Sequence, residues 1–203
     1  MYEYVISALI FGLTAGLKPG PLGIVIIQQT LEYGLKNGIR ASFAPIITDG
    51  PIIIVVLMFL AYLKEIELFI SSISVIGGIY LLWLSLRIFR TKEINLSKPL
   101  GNSKSLATAI KVNFLSPYPY LFWLTVGGTY IAQGTIAEST VFIVISIGTL
   151  VLSKMLVAWM ASRFRKLLDG EIYLWVMRVL GVFIFVFGIL LINKAYNLVH
   201  HPL

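Results

Sequence analysis

The sequence predicts an all-α integral membrane protein: six transmembrane helices forming two inverted three-helix repeats, with helices 1 and 4 broken at Pro-x-Pro. Three observations lead there. The chain of 203 residues is 58% hydrophobic and only 12% charged, with a mean hydropathy of +0.92. Soluble domains carry about 25% charged residues, so this surface suits lipid rather than water. Apolar runs of about 20 residues, the length that crosses a hydrocarbon core, recur from end to end. Two of those runs are interrupted alike, by Pro19 and Pro21 in "LKPGPL" and by Pro117 and Pro119 in "LSPYPY".

The elements follow in order. Helix 1 is expected from about Tyr4 to Leu31, broken at 18–21, helix 2 from about Ile39 to Tyr62, and helix 3 from about Ile66 to Phe89. The polar stretch "RTKEINLSKPLGNSKS" then separates two halves: a first repeat over 1–89, a linker over 90–105 and a second repeat over 106–203. Helix 4 is expected from about Leu106 to Ile131, broken at 115–120, helix 5 near Thr140 to Ala161, and helix 6 near Tyr173 to Tyr196. Met1-Tyr2-Glu3 lacks the basic start of a signal peptide, so the first run reads as a membrane helix. With no cysteine, disulfides, thiolate metal sites and thiol redox chemistry are excluded.

Charge sets the orientation. Lys36 and Arg40, five Lys and Arg residues from Arg87 to Lys104, and Arg163, Arg165 and Lys166 fall on one side; Lys64 and Lys194 fall on the other. The basic side is cytoplasmic by the positive-inside rule, which puts the linker inside and both termini outside. The net charge of +7 is mostly this asymmetry and needs no nucleic acid.

The halves align. Residues 17–22 fall on 115–120, and Thr48, Asp49 and Gly50 fall on Ser146, Ile147 and Gly148, both at a shift of 98; residues 75–77 fall on 179–181 at a shift of 104. Three helices per copy force the second copy to be inverted. That plan belongs to secondary transporters, whose sites lie near the midplane on discontinuous helices. Pro19 lies roughly 22 Å into helix 1 at 1.5 Å per residue. Broken backbone is tolerated at that depth only where it is buried or lines a cavity. Half-helices starting at Pro21 and Pro119 would turn their N-termini toward a common centre. Free N–H groups and the positive dipole end favour an anion there, a carboxylate above all. The alternative is a pair of kinks that only shape the bundle.

The stretch "GLKPGPLGIVIIQQTLEYGLKNGIRASFAPIITDG" resembles the N-terminal signature of the LysE/RhtB-type amino-acid exporters: a Pro-Gly-Pro, a glycine-spaced stretch leading to Arg40, and a second helix bearing Asp49. "NFLSPYPYLFW" is similar to the family's Asn-Pro-aromatic region and "GGIYLLWLS" to its third helix. The resemblance implies a six-helix exporter of small amino acids or related metabolites in the inner (plasma) membrane, with no cofactor. The chain departs from the pattern at Lys18, where a small hydroxyl residue is usual, and at Leu22, where Asn is common; Pro45 and Pro51 bracket the Asp49 region.

Candidate site residues are Lys18, Pro19, Gly20, Pro21, Asp49, Asn113, Pro117, Tyr118 and Pro119. Asp49 is the one carboxylate deep in an apolar segment, which marks a pathway or proton-coupling group. The alternative is a structural ion pair with Lys18. Asn113 is a candidate ligand, though satisfying the broken backbone around 114–117 is the commoner role of such a residue. Tyr118, Tyr120 and Trp123 could wall the site, with packing the commoner role of Trp123. Gln28 and Gln29 could line the cytoplasmic half-path. Lys111 and Arg178 are expected to snorkel to the boundary, and Lys154 either to snorkel or not. Ala8, Gly12 and Gly16 form a small-residue face for close helix packing, while Tyr130, Tyr173, Trp175 and Tyr196 suit interface anchors. The partners implied are the lipid bilayer and a small-molecule substrate; a homo-oligomer stays open. Three classes are weighed. One is a proton-coupled exporter of carboxylate-bearing metabolites working by alternating access. The second is a cation or heavy-metal exporter, for which clustered ligands are missing since His200 and His201 sit at the terminus. The third is a membrane enzyme or assembly factor, for which no nucleophile–base pair is visible.

Overall fold

A computed structural model describes residues 1–18, 20–59, 63–90, 104–165 and 170–200. Pro19 and most of the linker therefore lie outside the described residues. Every regular element among the described residues is helical.

Prolines and glycines set the boundaries. Helix α1 (Tyr2–Leu17) ends because Lys18 precedes a proline and is pushed out of helical geometry, to φ −57 and ψ 128. Gly20 is extended, at φ −147 and ψ 176, and α2 (Pro21–Tyr33) begins with Pro21 as its first residue, where no N–H is missed. The two meet at 58°. Gly34, at φ 88, stops α2 in a conformation that suits glycine. Helix α3 (Leu35–Ser42) and α4 (Ala44–Phe59) are parted only at Phe43 and form one apolar stretch, Leu35–Met58. Helix α5 (Leu63–Phe89) leads to the linker.

After the linker come α6 (Ser105–Phe114), α7 (Pro117–Phe122), a π-helical turn (Trp123–Gly127) and α8 (Gly128–Gln133). Ser116 precedes Pro117 and is extended, so α6 stops there. The half-helix after this break starts at Pro117, not at Pro119 as the repeat alignment implies. The reason is local. The Ser116 side chain caps the Tyr118 N–H, which fixes the helix start two residues earlier. Helices α9 (Ile136–Arg165) and α10 (Gly170–His200) are long and unbroken.

Four stretches are long and apolar enough to cross a membrane, and a fifth if the bent pair α1–α2 counts as one. Helices α1 and α9 run parallel. The Met1 ammonium meets Glu138 at 3.0 Å, and a Cβ on Gly12 or Gly16 would lie 2.7 Å from the Ser146 carbonyl oxygen or 2.4 Å from Ser153 Cβ. Ala8, Gly12 and Gly16 are all buried, so the expected small-residue face is the seam of this pair. Helices α5 and α10 run antiparallel, with Ser71 donating to the Ala195 carbonyl at one end and Gly181 against Phe89 at the other.

Two apolar clusters form the interior. One gathers Val25, Ile26, Leu84, Ala109, Ala158 and Ile184 around α2. The other gathers Ala8, Ile52, Val56, Tyr120, Trp123 and Phe142. The large open space lies where they meet, since Leu22 of the first and Trp123 of the second share its wall.

Candidate functional site

A cavity of about 460 Å³ sits at the break between α1 and α2. Its size is within the range of small-molecule sites. Of the sequence-predicted residues it collects Lys18, Gly20, Pro21, Asp49, Asn113, Tyr118 and Pro119 in one wall system. Pro19 falls outside the described residues. Pro117 is buried at the start of α7 and does not line the space.

Asp49 is 3% exposed and held by neutral groups. Asn113 Nδ2 donates to its Oδ1 at 3.1 Å, and Trp123 Nε1 donates to its Oδ2 at 3.3 Å. The Thr48 hydroxyl lies 3.2 Å from Oδ1 and 3.0 Å from the Ala44 carbonyl, and its single proton serves one of them at a time. Asn113 also reaches Thr48 Oγ1 at 2.6 Å, so α4 and α6 are stitched at the carboxylate. Asn113 thus spends its amide on Asp49 and Thr48 rather than on the broken backbone. There the Tyr120 hydroxyl takes the Phe114 carbonyl at 3.0 Å.

Lys18 and Asp49 do not form the expected ion pair. Lys18 is exposed, and its Nζ lies 5.9 Å from the centre of the Tyr118 ring. The extended backbone at the break turns the lysine toward α7, while Asp49 accepts from the neutral donors of Asn113 and Trp123.

Two residues matter more than the sequence suggests. Trp123 is 2% exposed and donates to Asp49 from the π-helical turn. Such turns re-aim side chains and recur at functional sites. Gly127 makes this possible, because a Cβ there would lie 2.3 Å from the Trp123 ring. Lys154 does not snorkel: it is 4% exposed, lines the cavity and reaches the Lys18 carbonyl at 3.4 Å. The only hint in the sequence is a lysine eleven residues before the end of α9, too far for an easy reach to the boundary.

Gln28 and Gln29 lie away from the cavity. Gln29 donates to Gln28 at 2.7 Å, Gln28 donates to Glu32, and Ser105 donates to Gln29 at 2.7 Å, which ties α2 to the start of α6.

The family model described as LysE type translocator matches residues 13–195, nearly the whole chain. The chain belongs to that family. A search of curated proteins and one of solved structures found no match. The translocator is thus a multi-pass membrane protein of a small-molecule exporter family, and its cavity coincides with the Pro-Gly-Pro break that opens the matched region.

Proposed function

We propose that this translocator is a secondary active exporter of amino acids or similar small carboxylate-bearing metabolites, working by alternating access in the plasma membrane and coupled to protons through Asp49. The observation that carries this reading is the cavity itself, which brings a buried carboxylate and the N-terminus of a broken helix to one space. The first-turn amides of α2, on Leu22 and Gly23, have no carbonyl one turn back within the helix and favour an anion. Asp49 at the opposite wall is suited to take up a proton, or to meet a substrate ammonium, as the cavity opens to either side.

Six crossings fit this reading by parity. Helices α1 and α9 start at the same face and run parallel. The chain between the end of α5 and the start of α9 therefore has to pass from one face to the other, and α6 to α8 are the segment that does so. The pairings also obey the exchange expected of an inverted repeat. Helix α1 of the first half packs on α9 of the second, α4 of the first half packs on α6 of the second, and α5 pairs with α10. In this arrangement the linker is cytoplasmic and both termini are outside, and a reporter fused at Asn102 is expected to read cytoplasmic.

Transport into inverted membrane vesicles tests the function. Labelled neutral amino acids should accumulate when a pH gradient is imposed and should not when it is collapsed. Asp49→Asn should keep residual exchange but lose the response to the gradient. Uptake in neither condition, with the protein shown to be folded in the vesicle, would refute the exporter reading.

A further inference from the structure

We infer that Lys154 anchors the substrate carboxylate, and that the cavity consequently selects α-amino carboxylates with an uncharged side chain and rejects a cationic side chain. The inference rests on the exporter reading and adds to it a residue and a selectivity.

Among the described residues, Lys154 is a buried cation without a counter-ion. It is 4% exposed in the wall of the cavity, and its acceptor is the Lys18 carbonyl, a neutral group at 3.4 Å. The ion pair formed among the described residues is Met1 with Glu138, at the far end of the same helix. The one acid among the described residues of the cavity wall, Asp49, accepts from Asn113 and Trp123, with the Thr48 hydroxyl 3.2 Å away. A buried ammonium so placed is costly, and an anion brought to it relieves that cost and holds it in the charged form.

Its position sharpens the point. A Cβ on Gly23 would lie 3.2 Å from Lys154 Nζ, so the ammonium sits over the first turn of α2. That is the positive end of a helix of 13 residues, which repels a cation and attracts an anion. Lys18 adds a second ammonium to the same wall. A carboxylate between Lys154 and the α2 amides would take a charge-assisted hydrogen bond from one and N–H bonds from the other. The remaining wall is mostly apolar, with Phe11, Leu121, Phe122, Leu150 and Phe187 beside the hydroxyls of Thr14 and Thr125. A second positive charge on the ligand would face those apolar side chains and two ammonium groups. The two ammonium groups repel it.

The test measures binding to the purified, detergent-solubilised protein by calorimetry, with three probes of matched size. Norleucine carries a carboxylate and an apolar chain, its amide lacks the carboxylate charge, and lysine adds a side-chain ammonium. Norleucine should bind about 10- to 100-fold more tightly than its amide, the range of a charge-assisted hydrogen bond. Lysine should bind at least about 10-fold more weakly than norleucine. Lys154→Met, which keeps the length and removes the charge, should lower norleucine to the level of its amide. The inference is overturned if the amide or lysine matches norleucine, if Lys154→Met keeps the preference for the carboxylate, or if norleucine does not bind at all. Should that variant fail to fold, the three probes on the natural protein decide alone. Binding is read here without flux. A protein that binds norleucine but moves nothing across vesicles would therefore sink the exporter reading and leave the anchor standing.

Discussion

The two broken segments look alike in sequence and differ in what they leave open. At the first break Gly20 is extended and a Cβ added to it would have no neighbour within 4 Å. The α2 amides that follow belong to a leucine and a glycine, and both residues line the cavity. The second break is filled. Pro117 and Pro119 carry no N–H, the Tyr118 N–H is met by Ser116, the Phe114 carbonyl by Tyr120, and Leu115 packs its carbonyl against Gly77. A Pro-x-Pro pair is therefore not one device. The positions two residues apart carry either a helix start with donors to spare or one with none, depending on which proline takes the first helical position.

Substitutions can break or sharpen that contrast. Asp49 clamps the second break from α4, through Asn113 before it and Trp123 after it. Asp49→Ala strands these donors and should cost about 3 kcal/mol or more of stability, at 1–3 kcal/mol for each buried group left unpaired. Thermal unfolding in detergent would show it, and a melting temperature like that of the natural protein would remove the clamp. Gly77→Ala places a methyl 1.8 Å from the Leu115 carbonyl oxygen, which is backbone and cannot swing away. A loss of about 1–3 kcal/mol is expected from such overpacking, with flux per folded molecule unchanged. Ser116→Ala removes a cap from the second break and should cost about 1 kcal/mol, again with no change in substrate affinity. Gly20→Ala meets nothing and is compatible with the extended backbone, so stability should stay within about 0.5 kcal/mol of the natural protein. Its effect should fall instead on substrate affinity, because the added methyl enters the cavity. If Gly20→Ala destabilises as much as Gly77→Ala, the first break is no more open than the second.

Much of this was legible in the sequence. Proline and glycine act on their immediate neighbours, so the break at 18–21, the end of α6 and the lone deep carboxylate at Asp49 follow from local rules. The small-residue face of α1 likewise shows in its spacing. What stayed hidden depends on which helices touch. A lysine stem of four carbons can lead outward to the boundary or inward to a cavity, and only the packing of α9 on α1 and α2 decides for Lys154. Trp123 looks like any packing aromatic until a π-helical turn rotates its ring nitrogen toward α4. The missing Lys18–Asp49 pair has the same origin. Depth along two helices was readable, but the turn of the extended backbone that sends Lys18 toward Tyr118 was not.

Gly12 and Gly16 bring α1 so near α9 that a methyl on either would overlap the neighbouring chain, and the Met1 ammonium fastens the far end to Glu138. Two rods joined along their length behave as a single strut. Load placed on one is carried by both, and neither slides past the other. The α1 side of that strut ends at the extended backbone of Gly20, which also lines the cavity. The joint and the cavity thus share residues, so a swing of the strut about Gly20 would reshape the cavity.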